Sequence, residues 1–205
     1  MNEKELRAYM CDVSTRSDEK HGNILEGIPI VYDAETDIGG MWKEIIDKGA
    51  LDQADLKDVR FLVNHDVDSI PLARSRNNNE NSTMQMTVEE DGLHIRVDLD
   101  TEGNPRAKEL YSAIRRQDVS GMSFMFNVQG DRWENLDSDY PTRHITALGK
   151  VFEVSAVTFP AYEQTSINAR SVETGKASLD SAREALENAK KVEELRKQII
   201  ERCKK

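Results

Sequence analysis

The sequence predicts an α+β protein, mainly β, and three observations carry that prediction. Short runs of alternating apolar and polar residues, rich in branched and aromatic side chains, recur along residues 1–170 between Gly, Asn, Asp and Pro clusters. "TMQMTVEEDGLHIRVDLD" is a clear hairpin, two alternating strands joined at "EEDG". After "INARSVETGKAS" the pattern changes to "LDSAREALENAKKVEELRKQIIERCKK", helix-forming throughout and free of Gly and Pro. Strands at this spacing fit a barrel or a sandwich. The expected organisation is a β-rich body over 1–172, then a linker and C-terminal helix over 173–205, with "VETGKAS" as the linker.

Taken in order, residues 5–14 and 24–32 read as two strands joined by the polar "TRSDEKHGN". "DAETDIGGMWKEIIDKGAL" reads as a glycine loop followed by a short helix around Met41 to Asp47. In "DVRFLVNHD", alternation places Val59, Phe61, Val63 and His65 on one, core-side face. "IPLARSRNNNENS" begins extended and passes into an asparagine-rich turn. "NPRAKELYSAIRRQD" is a helix, with Asn104 as its cap and Pro105 at its first position. The strand "VSGMSFMFNV" follows, then the polar "QGDRWENLDSDYPT" and two more strands, "RHITALG" and "KVFEVSAVTF", the last stopped by Pro160. On the terminal helix Leu179, Ala182, Leu186, Ala189, Val192, Leu195 and Ile199 recur at steps of three and four. Glu187–Lys191 and Glu193–Lys197 are well-oriented i,i+4 pairs there. This narrow stripe suits self-association, a partner helix or docking on the body.

The 205 residues suffice for a buried core, and 38% hydrophobic with 32% charged residues is a polar, foldable composition. The net charge of −10 is uneven. Residues 176–205 hold nine of the 28 basic and six of the 38 acidic residues, a balance of +3, which leaves −13 for the rest. An acidic body argues against nucleic-acid binding, which needs cationic surface to neutralise phosphates. Two cysteines, Cys11 and Cys203, form neither a disulfide framework nor a metal cluster and fit a reducing cytoplasm. The start "MNEKELRAYMCDVS" lacks the basic and apolar regions of a signal peptide. No apolar run approaches the ~20 residues of a membrane helix.

Candidate chemistry centres on the strand "VSGMSFMFNV". Strict alternation groups Met122, Phe124, Phe126 and Val128 with Ser120 on a core face, and Gly121, Ser123, Met125 and Asn127 on the other. Ser123 therefore faces away from the phenylalanines beside a glycine that leaves room for approach, the better placed nucleophile; Ser120 and Ser155 remain alternatives. A serine needs a base. Of the four histidines, His21 sits in a polar turn, His94 on the solvent face of a hairpin and His144 after a proline loop. His65 closes an apolar strand, half buried, where an imidazole can accept a proton near neutral pH. Glu153, a carboxylate within the apolar "KVFEVSAVTF", can orient that imidazole, whereas Asp66 should point to the opposite side of an extended chain. Each of these residues also has an ordinary structural explanation. A divalent ion held by His65, Asp66, His144 and Glu153 is a competing use, without HExxH or Cys/His spacing, and no phosphate-binding glycine loop occurs.

"FLVNHD" followed by "PLARS", then "VSGMSFMF", then "FEVSAVTFPAYEQTSI" resembles the motif series of the tailed-phage prohead (capsid maturation) serine protease family, which is similar in fold to the herpesvirus assemblins. The resemblance spans about residues 5–170. It implies a closed antiparallel β-barrel surrounded by a few helices, and a serine endopeptidase without a cofactor or metal. By motif, Ser123 is the nucleophile, His65 the general base and Glu153 the orienting acid. Backbone N–H groups are expected to form the oxyanion hole, and a loop such as "FPAYEQTS" after the last strand is the candidate, though no motif locates it. The implied substrate is scaffold or capsid protein, and the chain itself, inside an assembling prohead in the host cytoplasm, with no nucleic-acid or membrane partner. The rival readings are a non-catalytic capsid scaffold or interaction protein that uses the barrel and long helix for binding, and a metal-dependent hydrolase.

Overall fold

A computed structural model describes residues 4–10, 13–18, 22–158 and 166–203, with the side chains of 8–10, 18, 166–171 and 203 left aside. Its elements are β1 (Glu5–Met10), β2 (Val13–Asp18), β3 (Gly22–Val31), β4 (Thr36–Ile38), β5 (Trp42–Ile46), β6 (Asp58–Val63), β7 (Ala73–Arg76), β8 (Met84–Val88), β9 (Gly92–Leu99), α1 (Pro105–Arg115), β10 (Gly121–Glu134), β11 (Thr142–Val157) and α2 (Ser166–Cys203). The mainly β composition with few helices agrees with the sequence reading; the closed barrel does not. The strands form two open sheets. A seven-stranded mixed sheet runs β1-β10-β11-β5-β4, with β6 on β11 and β7 on β6, and a four-stranded antiparallel sheet runs β2-β3-β9-β8. Closure fails because no strand of one sheet pairs with a strand of the other among the described residues.

The two long strands organise the larger sheet. β10 and β11 pair antiparallel along their whole length, with register shifts between Met125 and Asp131 that bend the ribbon. β11 then adds parallel partners at both ends, β5 along Thr142–Ile145 and β6 along Glu153–Ala156. One 16-residue strand thus replaces the two short ones expected here, and "QGDRWE" extends β10 instead of forming a polar loop. The expected strand over 5–14 divides between β1 in one sheet and β2 in the other.

Residues 41–47 form a strand where a helix was expected. In β5, Trp42, Glu44 and Ile46 are buried while Lys43 and Ile45 are only half covered, the period-2 pattern that pairing with β11 and β4 requires. Non-local pairing overrides a locally helical run. The β8–β9 hairpin and α1 form as expected, the Asn104 side chain accepting from the Arg106 N–H and Pro105 opening the helix. Met122, Phe124 and Phe126 of β10 enter the core with Phe61, Leu25, Ile30, Leu93 and Val97, and α1 adds Ala107, Leu110 and Ile114. Phe124 and Phe126 stack at 4.8 Å between centroids. Burying such a side chain contributes about 1.5–3 kcal/mol.

α2 begins at Ser166, so the residues read as a linker lie inside a helix. The glycine that suggested a linker serves a close approach: a Cβ on Gly175 would stand 2.5 Å from the Trp42 ring. Trp42 in turn meets Trp133 edge-on at 5.7 Å, and Trp133 Nε1 donates to Ser178 Oγ at 2.9 Å. The outer part of the helix leaves Val192, Leu195, Ile199 and Ile200 exposed. No described helix is long and apolar enough to cross a membrane.

Under this helix β1 is fixed by buried charge. Arg7 pairs with Glu5 and Glu44, and Arg143 with Glu5, Glu44 and Asp131, the four central side chains being at most 4% exposed. Burial works to raise the Glu44 pKa, but Arg7 and Arg143 together outweigh it and hold the carboxyl below its ordinary 4.5. A carboxyl depressed on folding stabilises the fold above its unfolded pKa, and that contribution is lost as pH falls through the folded value. Stability in urea should therefore stay level above about pH 5 and fall steadily below the ordinary carboxylate range. Glu44→Gln should flatten that acid slope while costing about 3–5 kcal/mol at pH 7, since it leaves the arginines underpaired. An unchanged slope would remove Glu44 from this account.

Candidate active site

Three strands place the candidate residues on one face of the larger sheet. Ser123 on β10 stands directly opposite Ser155 on β11, so the two side chains share a face with Cβ atoms about 5 Å apart. Glu153, two residues before Ser155, shares that face as well. β6 runs parallel alongside, Arg60 level with Glu153 and Leu62 with Ser155. The phenylalanines of β10 take the other face, as alternation requires.

His65 reaches this face by a route the sequence pattern did not reveal. Alternation put it on the core side with Phe61 and Val63, but β6 ends at Val63. Asn64 and His65 both adopt left-handed backbone, φ 51° and 58°. Asparagine tolerates that conformation, and here its side chain anchors it: Asn64 Oδ1 accepts from the N–H and the hydroxyl of Thr158 at 3.0 and 2.9 Å. The Asn64 N–H still donates to the Ala156 carbonyl, continuing the ladder with β11. The two turned residues swing the imidazole over β11.

There His65 Nδ1 meets Glu153 Oε1 at 2.6 Å, with the histidine side chain 18% exposed and the carboxylate 3%. An ionised carboxylate only accepts, so with Glu153 ionised Nδ1 is the donor, and a neutral ring then has its lone pair on Nε2. Glu153 Oε2 accepts from Ser155 Oγ at 2.6 Å, and that oxygen accepts from the His65 N–H at 3.2 Å. Ser123 is 1% exposed, and its hydroxyl donates to the Arg7 carbonyl of β1 at 2.7 Å rather than to His65. The structure thus joins His65 to Glu153 directly and sets Ser123 one strand away on the same face.

The remaining candidates lie elsewhere. Ser120 is exposed and precedes β10. Ser155 accepts from the His65 main-chain N–H, and its hydroxyl donates to Glu153. Asp66 is exposed and held below its ordinary pKa by the Ser69 hydroxyl and by Arg106. His144 bonds Asp47 near the far end of β11, so the four residues considered for a divalent ion do not gather. Among the described residues Glu89, Asp91 and His94 of the β8–β9 hairpin come close enough to share an ion, the two carboxylates exposed and the histidine half-buried. His21, Pro160 and most of the proposed oxyanion loop "FPAYEQTS" lie outside the described residues.

Over residues 11–178 the chain matches the caudovirus prohead serine protease family. Among solved structures it is similar to the capsid assembly protease gp21 of bacteriophage T4, at 16% identity and a TM-score of 0.41, covering 78% of this chain and 100% of that one. A search of the curated proteins finds no match.

The left-handed turn makes Asn64 a stability determinant. Asn64→Ala should cost about 1–2 kcal/mol in urea denaturation, from backbone strain and the lost Thr158 bonds, and Asn64→Gly should recover part of it. Equal losses in the two variants would show that the turn carries no strain.

Proposed function

The chain belongs to the caudovirus prohead serine protease family, and from that premise we propose a serine endopeptidase in which Ser123 is the nucleophile, His65 the general base and Glu153 the residue that orients it. The observation that carries this reading is the 2.6 Å contact between His65 Nδ1 and Glu153, which leaves Nε2 as the basic nitrogen beside the face that Ser123 shares.

In the proposed reaction the Ser123 hydroxyl turns from the Arg7 carbonyl toward His65 Nε2, which takes its proton as Oγ bonds to the peptide carbonyl carbon. Glu153 stabilises the imidazolium so formed. The imidazolium protonates the leaving amine as the C–N bond breaks, and an acyl-enzyme remains. Water, deprotonated by His65, then attacks that ester, releasing the new carboxyl terminus and restoring Ser123. Backbone N–H groups supply the oxyanion contacts. The proposed substrates are scaffold protein or the scaffolding segment of the capsid protein, and the chain itself, within the assembling prohead. Self-association through α2 fits the exposed Val192, Leu195, Ile199 and Ile200. Antiparallel pairing of two copies sets Val192 against Ile200 and Lys191 against Glu201.

Mixing the purified chain with its co-expressed capsid protein, and following intact masses with time, should give discrete fragments that are absent with Ser123→Ala or His65→Ala. Persistence in the serine variant would sink the assignment, and loss on adding a chelator would favour metal chemistry. If no fragments form even in assembled shells, the non-catalytic scaffold reading takes its place. For α2, sedimentation velocity should show a concentration-dependent dimer that Leu195→Glu with Ile199→Glu abolishes; a monomer throughout would end that part of the proposal.

A further inference from the structure

We infer that Ser155 is a positioning residue of this site, a single hydroxyl that fixes both the carboxylate of Glu153 and the backbone of His65; the inference rests on the proposed roles of those two residues. Its basis is the set of contacts converging on one oxygen. Ser155 is fully buried, and its Oγ donates to Glu153 Oε2 at 2.6 Å while accepting from the His65 N–H at 3.2 Å. The other oxygen of the same carboxylate holds His65 Nδ1 at 2.6 Å. The result is a closed ring of hydrogen bonds: imidazole to carboxylate, carboxylate to hydroxyl, hydroxyl to the main chain that carries the imidazole.

Each link has a physical reason. A carboxylate 3% exposed needs donors on both oxygens, because a buried acceptor left without one costs about 1–3 kcal/mol. Ser155 supplies the second donor from the same strand, two residues on, where the pleat puts both side chains on one face. Without it Glu153 is free to swing or to take up a proton, and either change removes the fixed acceptor that holds the imidazole with its proton on Nδ1. His65 lies in a two-residue left-handed turn, outside any strand ladder, so its N–H bond to Ser155 also sets where the ring begins. A buried serine needing only satisfaction could bond a backbone carbonyl, as Ser123 does with Arg7. Ser155 bonds the carboxylate instead.

Thr and Val at position 155 have nearly the same shape and differ in the hydroxyl, which separates positioning from packing. Two readouts are taken on wild type, Ser155→Thr and Ser155→Val, each checked for cooperative unfolding. One is the rate at which a fluorophosphonate labels Ser123, located by peptide mass mapping. The other is the His65 ring tautomer, read from long-range ¹H–¹⁵N correlations at a pH where the imidazole is neutral. Ser155→Val should label about 10²-fold more slowly and lose its preference for the Nδ1–H tautomer, and Ser155→Thr should keep both within a few-fold. Equal rates and tautomers in the Thr and Val proteins would overturn the inference. Should wild type not label at Ser123 at all, the nucleophile assignment fails, while the tautomer comparison, which depends only on His65 and Glu153, still decides the role of Ser155.

Discussion

The register between β10 and β11 is the constraint on which the rest of the molecule depends. β11 is paired along both edges, with β10 on one side and with β5 and β6 on the other, so an error in its register would propagate through the larger sheet. A one-residue slip would turn Ser123 away from Glu153 and Ser155 and expose the phenylalanines that fill the core. Packing therefore protects the chemistry. Phe124 and Phe126 hold the face that Ser123 does not use, and the hydrophobic effect that buries them also keeps the polar residues aligned behind.

β1 is held differently. Its side chains include Glu5 and Arg7, which enter a buried ionic group with Glu44 and Arg143, an arrangement with little net benefit over apolar packing but a strong demand for correct partners. That demand selects one position for the strand beside β10. The same strand presents the Arg7 carbonyl to Ser123. Arg7 thus serves both, its side chain in the buried charge and its carbonyl on the Ser123 hydroxyl.

Much of the fold was legible because local rules decide it. The β8–β9 hairpin has its alternation and turn, α1 has its cap and proline, and the two faces of β10 follow from side-chain size. The features missed are those that distant pairing decides. Residues 42–46 are helical by propensity and become a strand because β11 offers an open edge; Gly175 looks like a hinge and is a contact point for Trp42. Barrel closure came from family resemblance rather than from the residues. At the site, Ser123, His65 and Glu153 were singled out from the sequence, yet His65 was placed on the wrong face because its turn depends on Asn64 reaching Thr158. Ser155 was considered only as a rival nucleophile. Its i,i+2 spacing from Glu153 was the available signal, and the pleat gives that spacing its meaning.

The hydrogen bond from Ser123 to the Arg7 carbonyl has a consequence for timing. A neutral hydrogen bond of this kind contributes about 0.5–1.5 kcal/mol, a bias of at most roughly tenfold. Such a contact is too weak to serve as a latch. The 1% exposure of Ser123 is a different kind of barrier, since no peptide carbonyl reaches a covered oxygen however the hydroxyl is turned. For the proposed reaction the barrier that matters is therefore admission, not ignition: a substrate needs the chain over Ser123 to part before the direction of its hydroxyl counts.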